Sequence, residues 1–376
     1  MRPGFSFSVV GQDGAARAGT LVTPHGTIDT PAFMPVATYG AVRGLAPDEL
    51  RSAGAQILLA NTYHLHERPG EATVATLGGL HGFSGWEGPW LTDSGGFQVT
   101  SLADYVKVDE EGVRFRSPLD GRTRLLTPES AMAIQEALGA DVAMVLDECQ
   151  PARPEASDGA LRVRAATDRS LRWAERCRAA HRRSDQAVFG IVQGGNDARL
   201  RQASARSTAA LGFDGYAHGG LGLGEERAAR CDMVAATQAE LPATAPRYLM
   251  GLGKPADLLD GVSAGVDLFD CVLPTRHGRH GVLFTSGGLL RLKNARFRED
   301  PDPPDPKCDC PLCARYSRGY LAHLFRSGET LGARLASLHN LRFYLHLLER
   351  ARAAIRDGRL AALRAEVDAI EAEDAA

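Results

Sequence analysis

The run from Val266 to Gly281, VDLFDCVLPTRHGRHG, starts apolar and β-branched and ends in proline, glycine and alternating Arg and His. A strand here carries Asp270 to its tip and stops near Pro274, which cannot donate to a ladder. A carboxylate at a strand tip, followed at once by a cationic loop, is expected to stay ionised beside Arg276 and Arg279, because nearby positive charge favours the charged form. Ionised and poorly solvated, it is a nucleophile toward an electron-poor carbon. The competing reading is a salt-bridged acid that closes a strand. A second acid, Asp93, precedes Ser94 and two glycines that permit close approach of a ligand. Two such carboxylates are the parts of glycosyl transfer. One attacks the anomeric carbon, and the other handles protons on the leaving and accepting groups. Asp93 would also serve as a plain turn or helix cap.

Asp147 and Gln193 offer complementary edges: a carboxylate accepts two N–H bonds and an amide donates to a carbonyl. Together they match guanine, which presents N1–H and N2–H2 beside O6. Gly219 and Gly220 would expose backbone N–H groups to O6, and Phe97 and Met250 could sandwich a flat heterocycle. Each of these residues is equally at home in an ordinary core. The cluster Cys308, Cys310 and Cys313, with Pro311 between, has the spacing of a tetrahedral zinc site. The fourth ligand is expected to be His339, with His323 and His346 as competitors. Three thiolates and an imidazole leave no open position, so such a zinc is structural.

Strand-length apolar stretches occur at residues 32–37, 55–60, 90–92, 141–146, 187–192, 215–218, 247–251 and 265–269. Helical patterns lie between most of them. Pro47 opens one, 127–138 is stopped by Gly139, 156–183 is long and Arg-rich, and 197–211, 225–241 and 255–264 follow. Eight strand–helix alternations predict a closed α/β fold, a (β/α)8 TIM barrel. Residues 5–30, with Asp-Gly turns, read as an N-terminal β cap. Residues 103–126 read as a β insertion after strand 3. Residues 283–314 read as a hairpin, a Pro/Asp loop and the Cys cluster, and 330–357 as a closing helix. The implied division is a capped catalytic barrel at 1–282, a zinc-binding insertion at 283–345, and the closing helix with a C-terminal tail at 346–376. In such a barrel chemistry sits at the C-terminal ends of the strands, and there almost every strand ends in a polar group or a glycine pair.

The 376 residues are 44% hydrophobic and 24% charged, which suits one large domain and not a disordered chain. No apolar run approaches the roughly 20 residues of a membrane span, and the first residues lack a signal-peptide pattern. A cytoplasmic location is expected, and seven cysteines, three of them bunched, read as a metal pattern in a reducing compartment. Net charge is -3. Yet residues 271–359 carry twice as many basic as acidic side chains, which points this last part toward phosphates.

In NTYHL from Asn61, LTDSGGFQ from Leu91, DEC from Asp147, IVQGG from Ile191, YLMG from Tyr248, DLFDCVLPTR from Asp267 and the CxCxxC…His pattern, the chain resembles the bacterial tRNA-guanine transglycosylases (queuine tRNA-ribosyltransferases) over essentially its full length. The resemblance implies a pentosyltransferase that replaces guanine at the wobble position of tRNAs with G-U-N anticodons by 7-aminomethyl-7-deazaguanine, a step of queuosine biosynthesis. Asp270 matches the family's nucleophile, which forms a covalent tRNA intermediate, and Asp93 its general acid/base. Asn61, Ser94, Asp147, Cys149, Gln193, Gly219, Gly220 and Leu221 match substrate-binding positions, with Phe97 and Met250 as the stacking pair. Arg276 and Arg279 match the grip on the flanking bases, in line with recognition of splayed single-stranded bases. A homodimer with one structural zinc per subunit is implied, its aromatic interface mapping to Phe83, Trp86, Tyr316, Tyr320 and His323.

Three departures stand out. Gly222 and Leu223 replace the usual Ala-Val, so Gly222 is expected to loosen the peptide that contacts the aminomethyl group. Leu223 adds bulk where the eukaryotic enzymes have Gly, and Cys149 matches the bacterial residue; both favour the smaller base. His277 and His280 stand where small or amide residues are usual, which makes part of the tRNA contact pH-sensitive. Two other readings compete: a non-catalytic RNA-binding partner subunit, against which both acids speak, and a (β/α)8 glycosidase, which would leave the zinc lobe and basic final quarter without a purpose.

Overall fold

The computed structural model describes residues 3–102, 105–150 and 159–375. Eight parallel strands run Ala32–Met34, Leu58–Ala60, Trp90–Thr92, Val142–Met144, Ala187–Val192, Gly215–His218, Arg247–Leu249 and Leu268–Asp270. They lie side by side in chain order, and the first pairs with the eighth. The ring closes through a single parallel bridge between Val36 and Leu59. Three strands coincide with the apolar stretches that encode them, at 90–92, 187–192 and 215–218, and the paired part of the others is shorter. Ala187–Val192 is buried at every position, as expected of a parallel strand covered on both faces.

The intervening helices begin and end where local chemistry dictates. Thr127 accepts a bond from the Ser130 N–H, Pro128 follows, and Gly139 at φ 76° caps the end of Pro128–Leu138. Asp197 caps Ala198–Ala210 by accepting from the Arg199 and Leu200 N–H groups. The long helix is Gly159–Ala180; the start expected for it at residue 156 lies outside the described residues.

The cap is a three-stranded antiparallel sheet, Ser6–Asp13, Ala16–Thr23 and Gly26–Thr30. It closes the N-terminal end of the barrel. Arg17 makes a bidentate, buried pair with Asp267, just before the eighth strand, and also donates to the Ala243 and Ala245 carbonyls. Asp141, just before the fourth strand, accepts from the Trp90 and His25 N–H groups and lies 2.8 Å from the His25 ring. The insertion after the third strand is a three-stranded sheet, Val106–Val108, Val113–Arg116 and Thr123–Leu126; its expected start at residue 103 lies outside the described residues.

After the eighth strand come a helix Leu273–Arg279, a hairpin Val282–Thr285 and Gly288–Arg291, and a lobe with its own small core around Leu292, Phe297, Leu312 and Leu321. The helix Thr330–Arg356 runs unbroken through both the lobe and the barrel wall. Its Asn340 binds the Pro274 and Val282 carbonyls and accepts from the Phe284 N–H. A Cβ on Gly278 would stand 2.6 Å from the Ser337 Cα, so only glycine lets these two helices approach so closely. Where a tail was expected, residues 360–375 form a further helix, Leu360–Ala375, whose buried Leu363 and Val367 join the main core.

Candidate active site

Asp270 is the last residue of the eighth strand. The Tyr248 hydroxyl, from the adjacent seventh strand, donates to Oδ1 at 2.6 Å, and the Gly251 N–H donates to the same oxygen at 2.7 Å. Burial raises the carboxyl above its ordinary range, and these two donors pull it part of the way back. The expectation that Arg276 and Arg279 keep Asp270 ionised is corrected: neither acts on it. Residues 273–279 are a helix and not a cationic loop, because Pro274 sits in a first turn, where no N–H is required. The Tyr248 phenol, raised well above its ordinary value by burial and then by the Asp270 charge, remains a donor.

Asp93 follows the third strand and accepts four bonds. Asn61 Nδ2 and Gln98 Nε2 donate to Oδ2 at 2.5 and 2.8 Å, and the Thr62 and Gly95 N–H groups donate to Oδ1 at 2.9 and 3.2 Å. Burial pushes its pKa up to about 6, the donors oppose this, and the Asp270 charge adds to it. Asn61 therefore orients Asp93. Asp147, after the fourth strand, is likewise raised to about 6, first by burial, with Asp93 contributing. Asp270 acts on Asp93 and Asp93 on Asp147, so three carboxylates from three strands share one electrostatic site.

Gln193 Nε2 donates to Asp147 Oδ2 at 2.5 Å. Gly219 and Gly220 lie against it: a Cβ on either would stand 2.5 Å or closer to the Gln193 amide. The Cys149 thiol beside them is pushed up to about 12 by burial, so it is neutral. Ser94 and Leu221 are buried, Met250 is half-buried, and Phe97 is 50% exposed on the helix Gly96–Leu102. Gly222 does not loosen its peptide, contrary to expectation. Its N–H and that of Leu223 both bond the Glu225 carboxylate, its φ is +76°, and a Cβ would stand 2.7 Å from Leu252.

Much of the basic final quarter is neutralised internally: Arg342 pairs with Asp309 and Glu349, Arg350 with Glu366, and Arg334 with Glu49. Arg276 and Arg279 are different. Among the described residues neither meets a carboxylate, and Arg279 is lowered by burial, then by Arg43 and Arg276. Arg43 was not singled out in the sequence; nothing local distinguishes it, and only the fold brings it to this patch. Tyr248 was also missed as a partner of Asp270, although it precedes Met250 by two on one strand face. His277 stacks on Phe284 at 5.3 Å and burial lowers its pKa, while His280 Nδ1 lies 2.7 Å from the Arg276 carbonyl.

The three thiols converge on one imidazole. His339 Nδ1 lies 3.6, 3.3 and 3.3 Å from the sulfurs of Cys308, Cys310 and Cys313. Tetrahedral bonds of roughly 2.0–2.3 Å would set these ligand atoms about 3.5 Å apart. His339 Nε2 faces the Phe284 carbonyl at 2.8 Å, the outer contact that fixes ring orientation at a metal. The four residues could hold a metal ion, and their chemistry is compatible with zinc. Of the expected interface aromatics, Tyr316 and Tyr320 stack at 5.4 Å and Tyr320 is exposed. Trp86 is a correction: it is buried within its own chain, donating to the Pro89 carbonyl beneath Arg51.

Fold and site define a (β/α)8-barrel protein with a carboxylate-lined mouth and a Cys3His lobe. Residues 13–372 match the family model described as queuine tRNA-ribosyltransferase. The chain is 52% identical to a queuine tRNA-ribosyltransferase of Thioalkalivibrio sulfidiphilus over 96% of each chain. It is 53% identical to that of Nitrosomonas europaea over 92% of each, and 54% identical to that of Thermus thermophilus over 94% of this chain and 91% of the other. The chain belongs to the queuine tRNA-ribosyltransferase family. None of its helices, among the described residues, is long and apolar enough to cross a membrane.

Proposed function

We propose that this protein is a tRNA-guanine transglycosylase, exchanging guanine at the wobble position of G-U-N anticodons for 7-aminomethyl-7-deazaguanine. The observation that carries this reading is the pair of buried carboxylates in one mouth, Asp270 held by Tyr248 and Gly251 and Asp93 held by four donors, with the Asp270 charge acting on Asp93. Asp270 attacks the ribose C1′. A C1′–oxygen bond forms as the bond to guanine N9 breaks, and the departing base takes a proton from Asp93. The incoming base returns its N9 proton to Asp93, attacks C1′ and expels the Asp270 carboxylate. A carboxyl raised to about 6 suits this shuttling near neutral pH.

Asp147 and Gln193 recognise the purine edge, with Cys149, Gly219, Gly220 and Leu221 beside them, Ser94 nearby, and Phe97 and Met250 as stacking faces. Arg276, Arg279 and Arg43 form the patch that meets the anticodon loop. Zinc held by Cys308, Cys310, Cys313 and His339 closes the lobe and takes no part in bond making, since no ligand position is left open. The functional division is a capped barrel at 1–282, the zinc insertion at 283–345 and the closing helical segment at 346–376. The protein works in the cytoplasm as a homodimer built on Phe83, Tyr316, Tyr320 and His323.

Incubation with labelled guanine and unmodified tRNA bearing a G-U-N anticodon tests the reading. Label should enter the tRNA; its absence with folded protein would leave the non-catalytic partner subunit as the better account.

A further inference from the structure

Arg201 is completely buried in the first turn of the helix Ala198–Ala210, yet among the described residues it bonds no carboxylate. Burial lowers its pKa to about 10, so it keeps its charge at neutral pH. Removing a guanidinium from water is costly, and an apolar side chain of the same volume would serve a core better. Its use lies in what it grips. Nε donates to the Gly195 carbonyl at 2.6 Å, and Nη2 donates to the Gly219 carbonyl at 2.9 Å and the Gly220 carbonyl at 3.4 Å. The first carbonyl belongs to the loop after the fifth strand, the other two to the loop after the sixth.

Gln193 opens the first of these loops, packs against Gly219 and Gly220 of the second, and is bonded to Asp147. The packing leaves no slack. A Cβ on Gly194 would stand 2.7 Å from Arg201 Cγ and 2.9 Å from its backbone nitrogen, and a Cβ on Gly219 2.5 Å from Gln193 Nε2. A guanidinium holds its donors in a planar fork. The spacing of the two loops is therefore set by covalent geometry.

We propose that Arg201 is a positioning residue for the exchanged base: its guanidinium locks the two glycine loops at one separation and so aims Gln193 and the Gly219–Gly220 peptide at the purine. It acts through backbone carbonyls and touches no reacting atom. The proposal rests on the base-exchange reading above. Asp270 and Asp93 stand on the eighth and third strands with their own partners, so loss of the fork weakens base binding and spares the chemistry at C1′.

The test uses full-length wild type, Arg201→Met and Arg201→Lys, each checked for folding by thermal melting. Calorimetric titration with guanine alone is combined with exchange kinetics on unmodified tRNA. Misaiming of the pocket should raise Kd and KM for guanine roughly 10- to 100-fold. The kcat at saturating guanine should stay within about threefold, with KM for tRNA raised less than KM for guanine, because the Arg43, Arg276 and Arg279 patch also holds the tRNA. Arg201→Lys should recover part of the affinity, because an ammonium reaches a carbonyl but cannot span both loops as a fork. Guanine affinity unchanged in both variants overturns the proposal and leaves the exchange reading intact. Parallel losses in kcat and in KM for tRNA make Arg201 a general prop and also overturn it. Wild type that neither binds guanine nor exchanges it brings down the exchange reading, and this proposal with it. Should Arg201→Met fail to fold, Arg201→Lys decides by the same criteria.

Discussion

The Tyr248 hydroxyl donates to Asp270 Oδ1 at 2.6 Å, a bond between neighbouring barrel strands that points the carboxylate and favours its charged form. Tyr248→Phe removes the donor and leaves the ring. A hydrogen bond to a charged group contributes about 1.5–3 kcal/mol, equivalent to about one to two pKa units. Asp270 in the variant should therefore protonate at higher pH, moving the acid limb of exchange up by about one to two pH units. Steady-state rates across pH check this; an unshifted acid limb would mean the hydroxyl does not tune Asp270.

Asp270→Asn and Asp93→Asn should fail differently. Without Asp270 no C1′–oxygen bond forms, so no protein–tRNA adduct survives denaturing electrophoresis. With Asp93→Asn the nucleophile remains but the departing guanine has no proton donor, so adduct should form slowly, while turnover drops by at least about a hundredfold for want of a proton carrier. Adduct persisting in Asp270→Asn would place the nucleophile elsewhere.

The pH dependence has two limbs of definite sign. Asp93 and Asp147 both sit at about 6, raised chiefly by burial, and Asp270 is raised as well. Asp93 must start protonated to supply the departing guanine, so a rise of pH through about 6 removes the form that begins the exchange. A fall of pH removes the attacking charge of Asp270. Thus kcat/KM for tRNA should pass through a maximum and decline on both sides, with the alkaline limb near about pH 6. The limbs belong to the coupled set, so no single substitution should erase both. Rates that stay level from about pH 5 to about pH 8 would contradict the raised carboxyls.

Chelation or Cys310→Ser should lower the melting temperature by about 5 °C or more, because the lobe's small core has few other fastenings. Metal analysis should give about one zinc per chain in wild type. Guanine affinity should change less than tRNA affinity, since Asn340, next to His339, binds the carbonyls of Pro274 and Val282 that flank the Arg276–Arg279 helix. Equal losses of both affinities would refute that route.

The barrel was legible because parallel strands buried on both faces leave continuous apolar runs, and because caps such as Thr127, Asp197 and Gly139 act locally. Asp93 and Asp270 were legible as acids at strand tips. The run after Asp270 was misread because a proline that ends a strand also opens a helix, and the sequence does not say which. Partners brought by the fold were invisible: Tyr248 is 22 positions from Asp270, and Arg43 comes near Arg279 only because the first strand pairs with the eighth. Of the three histidines within reach of the thiols, His339 was the one expected, and it is the one the fold brings to them.

The cap's fastenings, Arg17 on Asp267 and His25 on Asp141, lie at the end of the ring remote from the mouth. These fastenings therefore stand at the pole opposite the one that chooses the base. Heat resistance can be bred into one pole by substitution after substitution, while the choice of nucleobase, inscribed on the other, is left alone.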